Sequence, residues 1–346
     1  MQRPLIHQKT VIEWAKAIGI SFLCVLIIRT FFFEISPVSS PSMEQNLLTG
    51  DFMFINKLSY GPRLPRTVLS IPFVNQKLYS TLISLPYFRL FGSPGVERND
   101  VVVFNYPQED GYPVDHRTYF VKRCLAVSGD SFAIRNGLAY VNNQLSDNEE
   151  TLQYNYHMKA DKLLDSAFMH QYHLNEGGKI SDNNDYSFTL TKILYDTLKS
   201  KTFIISIEKN TEKKEMWDEF VFPFNSHYKW NVDNYGPLKI PAKGDTIHLD
   251  SLNLCIYERI ISVYEGNQLK LKNDSIYINQ ISTSVYIIKQ NYYFMMGDNR
   301  HNSQDSRHWG FVPEDHIIGK ATRIIYSTDR LFHTGVRWSR IFKDIQ

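Results

Sequence analysis

A chain of 346 residues is long enough for one large domain, or two modest ones, with a membrane segment besides. At 43% hydrophobic and 21% charged residues, most of it is expected to fold, which excludes a largely disordered protein. The 38 basic and 36 acidic residues leave a net charge of +2, which removes the electrostatic ground for a nucleic-acid partner.

The first element is a membrane-spanning helix, expected over 14–33. Its centre, Ala17 to Ile28, carries no charge, and a helix of about 20 residues covers the roughly 30 Å of a bilayer core. Arg29 lies near one end, where a long side chain reaches the headgroups. Arg3, Lys9 and Lys16 precede the span against one acid, Glu13, whereas Glu34, Glu44 and Asp51 follow it without a base as far as Asp51. The positive-inside rule therefore puts residues 1–13 in the cytoplasm and the rest of the chain outside. A cleaved secretion signal is the rival reading, but Phe31, Phe32 and Phe33 stand where small residues are needed.

Beyond the span the chain reads as mainly β. Tyr (21) and Phe (22) are plentiful and β-branched runs recur. SPVSSPSMEQNLLTGD reads as turn and short strand, and FMFIN, VVVF and TYFVKRCLAV as strands. Val68 to Gly95 is apolar for a connector, being either a membrane-contacting surface or core. Residues 136–290 are polar and strand-like in patches (FIISI, LKLK, SIYIN), and are expected to form an inserted second domain without chemistry of its own. The catalytic core is then 34–135 and 291–330, the second part running from NYYFMM through GDNRHNSQDSRHWG to HIIGKATRIIYS. In 331–346, Trp338, Ile341, Phe342 and Ile345 fall on one face of an expected short basic amphipathic helix. Cys24 lies in the apolar run, so Cys124 and Cys255 are the one conceivable soluble pair; no Cys-x-x-Cys spacing suggests a metal or a disulfide framework.

Candidate chemistry begins with Ser42, which follows Pro41 nine residues beyond Phe33. Nine residues reach at most about 30 Å, so Ser42 stays close to the membrane. Lys122 shares a strand face with Phe120 and Cys124. Apolar neighbours desolvate an amine and lower its pKa. That matters because an unperturbed lysine is neutral less than about 0.1% of the time at pH 7, and only the neutral amine takes a proton from a serine hydroxyl. Asp298, Arg300, Asp305 and Arg307 are dense enough to fix their loop through ion pairs, and Ser303 is short enough to sit beside a buried amine.

Together these segments resemble the type I signal peptidases, membrane-bound Ser/Lys proteases. SSPSM with LLTGD looks like the nucleophile box, RNDVVVFNYP like the strand before the lysine box, YFVKRCLAVSGD like the lysine box and GDNRHNSQDSRHWGFVPED like the third box. The resemblance covers roughly 34–130 and 290–326. It implies that Ser42 is the nucleophile and Lys122 the general base. Ser40 and the Ser42 N–H would form the oxyanion hole; Met43 is the residue following the nucleophile. Ser303 would contact the lysine, with Asp305 and Arg307 as the supporting pair. Departures occur at Gln45-Asn46, where Pro-Thr is usual, at Ala126-Val127-Ser128-Gly129-Asp130, where Gly-x-Pro-Gly-Asp is usual, and at Asn99, where Gly is common.

By this resemblance the chain is a hydrolase that removes N-terminal signal peptides from exported preproteins by acyl transfer, needs no metal or organic cofactor, and prefers small residues one and three positions before the cut. Its partners are preproteins and the lipid bilayer, with room for the secretion translocon. Its place is the bacterial cytoplasmic membrane, single-pass, with the catalytic body on the outer, periplasmic face. The altered turns leave a second reading, a weak or inactive membrane-tethered paralogue serving as a scaffold. A self-cleaving repressor-type Ser/Lys protein fits poorly, because a membrane helix occupies the place of its DNA-binding domain.

Overall fold

The computed structural model describes residues 8–70, 78–90, 95–147, 150–273, 275–329 and 335–346. Helix α1, Gln8–Phe31, contains an apolar stretch, Val11–Phe31, that is long enough to span a bilayer and has an apolar window with no residue buried in the body of the protein. It starts earlier and ends two residues sooner than the expected span, because Phe33 already belongs to the first strand. Of the expected cytoplasmic flank, 1–7 lie outside the described residues.

The central sheet is antiparallel, and its strands are β1 Phe33–Pro37, β2 Asp51–Asn56, β3 Val101–Asn105, β4 Tyr119–Ala126, β5 Tyr292–Met296, β6 Val312–Pro313 and β7 Ile317–Asp329. Their order across the sheet is β1-β2-β7-β3-β4-β5-β6. Alternation in β2 sends Met53 and Ile55 into a core with Val101, Val103 and Val121. β3 is buried on both faces, so Val102 and Phe104 join Cys124, Trp309 and Ile317 in a second core on the other side.

Residues of the expected insert contribute to two separate cores. Gln153–Ala160, Asp185–Thr191, Gly177–Ser181 and Ile204–Lys209 form a four-stranded sheet that closes around Met158, Tyr186, Phe188, Leu190 and Leu198. By contrast Ser131–Arg135, Leu138–Val141 and Tyr235–Lys239 share a core with Phe294 and Phe311, Phe132 stacking on Phe294 at 4.3 Å. Chemical independence of 136–290 does not follow from its composition, as the site below makes plain.

Thr67–Ser70 and Tyr79–Ser84 form a hairpin whose apolar side chains are not core: Leu69, Leu82, Ile83 and Leu85 are exposed, as is Phe88 beyond it. Ile71, Phe73 and Phe91 of the same stretch lie outside the described residues. The expected C-terminal helix does not form. Instead there is a 3-10 turn, Trp338–Arg340, followed by a bridge from Arg323 to Asp344. Phe342 has φ +63°, which a right-handed helix does not allow. Arg340 turns inward onto Asp51 at 2.6 Å, and Trp338 and Phe342 stay exposed. All three cysteines are free thiols, so Cys124 and Cys255 are not bridged.

Candidate active site

Three segments remote in sequence meet at the sheet. The first is the turn after β1. Ser40 is extended (φ −131°, ψ 154°) and leads into a 3-10 turn, Pro41–Met43, with Pro41 at the first position where its fixed φ suits a helical turn. Met43 and Leu47, fully buried, pin the turn to the core of Met53 and Val101. Ser42 is thereby only 5% exposed, and its Oγ lies 3.1 Å from the Ser40 Oγ.

Strand β4 brings the second. Lys122 stands opposite Val102, on the face that carries Cys124 and Phe104 into one core. At 2% exposed, its Nζ makes direct hydrogen-bond contact with the Ser42 Oγ. Burial lowers the amine's pKa to about 8; the Asp305 and Asp298 carboxylates resist that fall, while Arg307 adds to it. With a pKa near 8, roughly a tenth of the amines are neutral at pH 7, about two- to three-hundredfold more than for an ordinary lysine.

The third segment is the loop after β5. Gly297 presses on the turn: a Cβ there would lie 2.3 Å from the Ser303 Oγ and 2.4 Å from the Ser42 carbonyl oxygen, so only hydrogen fits. Asn299 N–H donates to that same Ser42 carbonyl at 3.1 Å. Asp305, fully buried, accepts from Arg307 Nε and NH2, each at 2.9 Å, and from Gly297 N–H at 3.2 Å. Burial alone would raise its pKa, but the charge and hydrogen bonds of Arg307 bring it down to about 2. Next to Lys122, Arg123 clamps Asp298 with two bonds of 2.7 and 2.6 Å, both side chains being closed to solvent.

Ser40, Ser42, Met43 and Lys122 thus come together as expected residues of one site, with the Asp305–Arg307 pair beneath them. Ser303 departs from expectation. Its Oγ is buried without a hydrogen-bond partner, while the Lys122 amine is engaged by Ser42.

A family model described as signal peptidase, peptidase S26, matches residues 11–226 and 239–326. The chain belongs to that family. It is 29% identical to the signal peptidase I of Buchnera aphidicola subsp. Schizaphis graminum over 93% of this chain and 78% of that one. It is also 28% identical to the signal peptidase I of Aquifex aeolicus (88% and 80% covered) and 26% identical to that of Haemophilus influenzae (93% and 72% covered). As a signal peptidase family member it is a serine endopeptidase, a hydrolase of a family that acts on preprotein substrates, and its apolar N-terminal helix fits a membrane anchor.

Against the usual signal peptidase pattern, the departures at Gln45, Asn46, Asn99 and Ser128 each suit their local geometry. Gln45 adopts φ +66°, which a proline cannot reach. Asn46 exchanges two bonds with Gln346, donating to its carbonyl at 2.6 Å and accepting from its N–H at 3.3 Å. Gln346 O also accepts from Arg123 at 2.9 Å, so the tail holds both flanks of the site. Asn99 has φ +70°, a conformation glycine and asparagine tolerate best. Ser128 Oγ donates to the Tyr292 carbonyl at 2.9 Å and accepts from the Tyr292 N–H at 3.1 Å, bonds a proline would lack.

Sequence reasoning missed how firmly the insert grips the third box. Asp147 pairs with Arg300 at 2.5 Å, Asp233 with His301 at 2.9 Å, and Glu176 accepts from Asn299 at 2.7 Å and Asn302 at 2.8 Å. Gln153 bonds the backbone on both sides of Asn299. Glu176 lies 123 positions from Asn299, and nothing local in the sequence marks such a contact.

Proposed function

We propose that this protein removes signal peptides from exported preproteins at the outer face of a bacterial cytoplasmic membrane, with Ser42 as nucleophile and Lys122 as general base. The contact between the Ser42 hydroxyl and the buried Lys122 amine carries this reading. Neutral Lys122 takes the hydroxyl proton as Ser42 Oγ bonds to the scissile carbonyl carbon. The Ser40 hydroxyl and the Ser42 N–H offer hydrogen bonds to the oxyanion, an effect of about 3 kcal/mol per donor in such sites. The ammonium then protonates the leaving amine as the C–N bond breaks, leaving an ester on Ser42. Water, deprotonated by the again neutral amine, hydrolyses that ester and frees the signal peptide's carboxylate. Asp305 and Arg307 hold the loop that presses Gly297 onto the turn. The basic residues before α1 and the acidic ones after it support a cytoplasmic N-terminus.

The test is cleavage of a precursor peptide in detergent and in lipid by the intact protein, Ser42→Ala and Lys122→Met. Turnover by the intact protein alone is expected. Equal turnover by all three would remove the Ser/Lys assignment, and no turnover by the intact protein would favour a scaffold.

A further inference from the structure

Between the membrane helix and the nucleophile turn, successive hydrogen bonds tie the chain down. The last turn of α1 is closed by Phe32 N–H donating to the Ile28 carbonyl. One residue later β1 begins, paired with β2 from Phe33↔Asn56 to Pro37↔Phe52. Val38 and Gly50 continue the pairing to the edge of the turn. An ion cluster around the buried Glu34 carboxylate locks the corner. Arg29 donates Nε and NH2 to one oxygen of Glu34, at 3.1 and 2.7 Å. Lys57 meets the other oxygen at 3.0 Å and caps the helix by donating to the Arg29 carbonyl at 2.7 Å. That carbonyl is one of those a helix end leaves without a partner. Burial opposes ionisation of Glu34, yet Lys57 and Arg29 hold its pKa below the usual carboxylate range. Phe33 stacks on Phe54 at 5.0 Å across the same corner.

A flexible tether would let Ser42 sample many heights above the bilayer. A strand of this length instead sets a span of about 16 Å from the corner to the turn. We infer that the Arg29–Glu34–Lys57 corner is a rigid strut that fixes the height of Ser42 over the membrane, and so selects how far beyond its own apolar segment a membrane-embedded precursor is cut. These are positioning residues, and the inference rests on the functional reading above.

The experiment uses full-length protein in vesicles and a series of precursors whose scissile bond is moved stepwise away from the apolar segment. Glu34→Gln/Lys57→Met removes both charges together, so that no lone buried charge remains. A second variant inserts a Gly-Ser linker between Phe32 and Phe33. A soluble precursor peptide in detergent reports the chemistry alone. The intact protein should lose kcat/KM at least about tenfold along the series, since small misplacements are costly. Both variants should flatten that profile while cleaving the soluble peptide at the intact rate. An unchanged profile in the variants would overturn the strut, as would a parallel loss on the soluble peptide, which would mark a merely structural role. If the intact protein cleaves neither substrate, the Ser/Lys reading fails first and the strut with it.

Discussion

At the residue scale, the proposed base, the Lys122 amine, is expected to govern both activity and stability. Its folded pKa of about 8 lies below the 10.5 of an exposed lysine. The base works only without its proton, so kcat/KM should climb through pH 8 and level off above it, measured as a pH–rate profile on a soluble precursor peptide. The unfolded chain binds the proton up to pH 10.5, so intact protein should gain stability between pH 8 and 10.5. Lys122→Met should lose at least about a thousandfold in kcat/KM. The same variant should unfold at higher temperature, because at pH 7 it escapes a burial penalty of about 3 kcal/mol. Gly297→Ala should also lower turnover but, unlike Lys122→Met, should cost stability, since its Cβ collides with the Ser42 carbonyl and the Ser303 hydroxyl. Thermal melting and peptide cleavage on one preparation check both variants.

At the scale of elements, the third box is held from outside the catalytic sheet. Asp147→Asn leaves the closed-off Arg300 guanidinium without its carboxylate, a change that costs about 3–5 kcal/mol where a buried pair is broken. Denaturant unfolding should show it. Glu176→Ala touches neither Ser42 nor Lys122, yet it frees Asn299, whose N–H holds the Ser42 carbonyl. It should lower kcat more than it raises KM, because the reacting geometry loosens. These grips were invisible in the sequence, since a polar run such as SDNND carries no record of what it will face in space. The strands were legible for the opposite reason: FMFIN has a period of two that burial follows residue by residue, and YFVKRCLA is a short run rich in apolar residues that ends up buried on both faces. The meeting of Ser42 with Lys122 was legible through the boxes around them. The tail was misread because helical spacing of Trp338, Ile341, Phe342 and Ile345 cannot reveal that Arg340 and Gln346 bind the body of the protein.

At the scale of the whole molecule, α1 contributes no surface to the protein's cores. Removing residues 1–31 should therefore leave the β-rich body folded and able to cleave a soluble peptide, while abolishing recovery with sedimented lipid vesicles. The sheet order has a consequence in time. β2 lies between β1, its near neighbour in the chain, and β7, one of the last strands to be made. The serine's turn accordingly leaves the ribosome long before the loop that presses on it, and closing so large a gap in sequence is slow. A half-synthesised protein has the alcohol and the amine but no frame to bring them together. On the proposed Ser42–Lys122 reading, a chain cut short before β5 should therefore be inactive on a soluble peptide, however long it is left to fold.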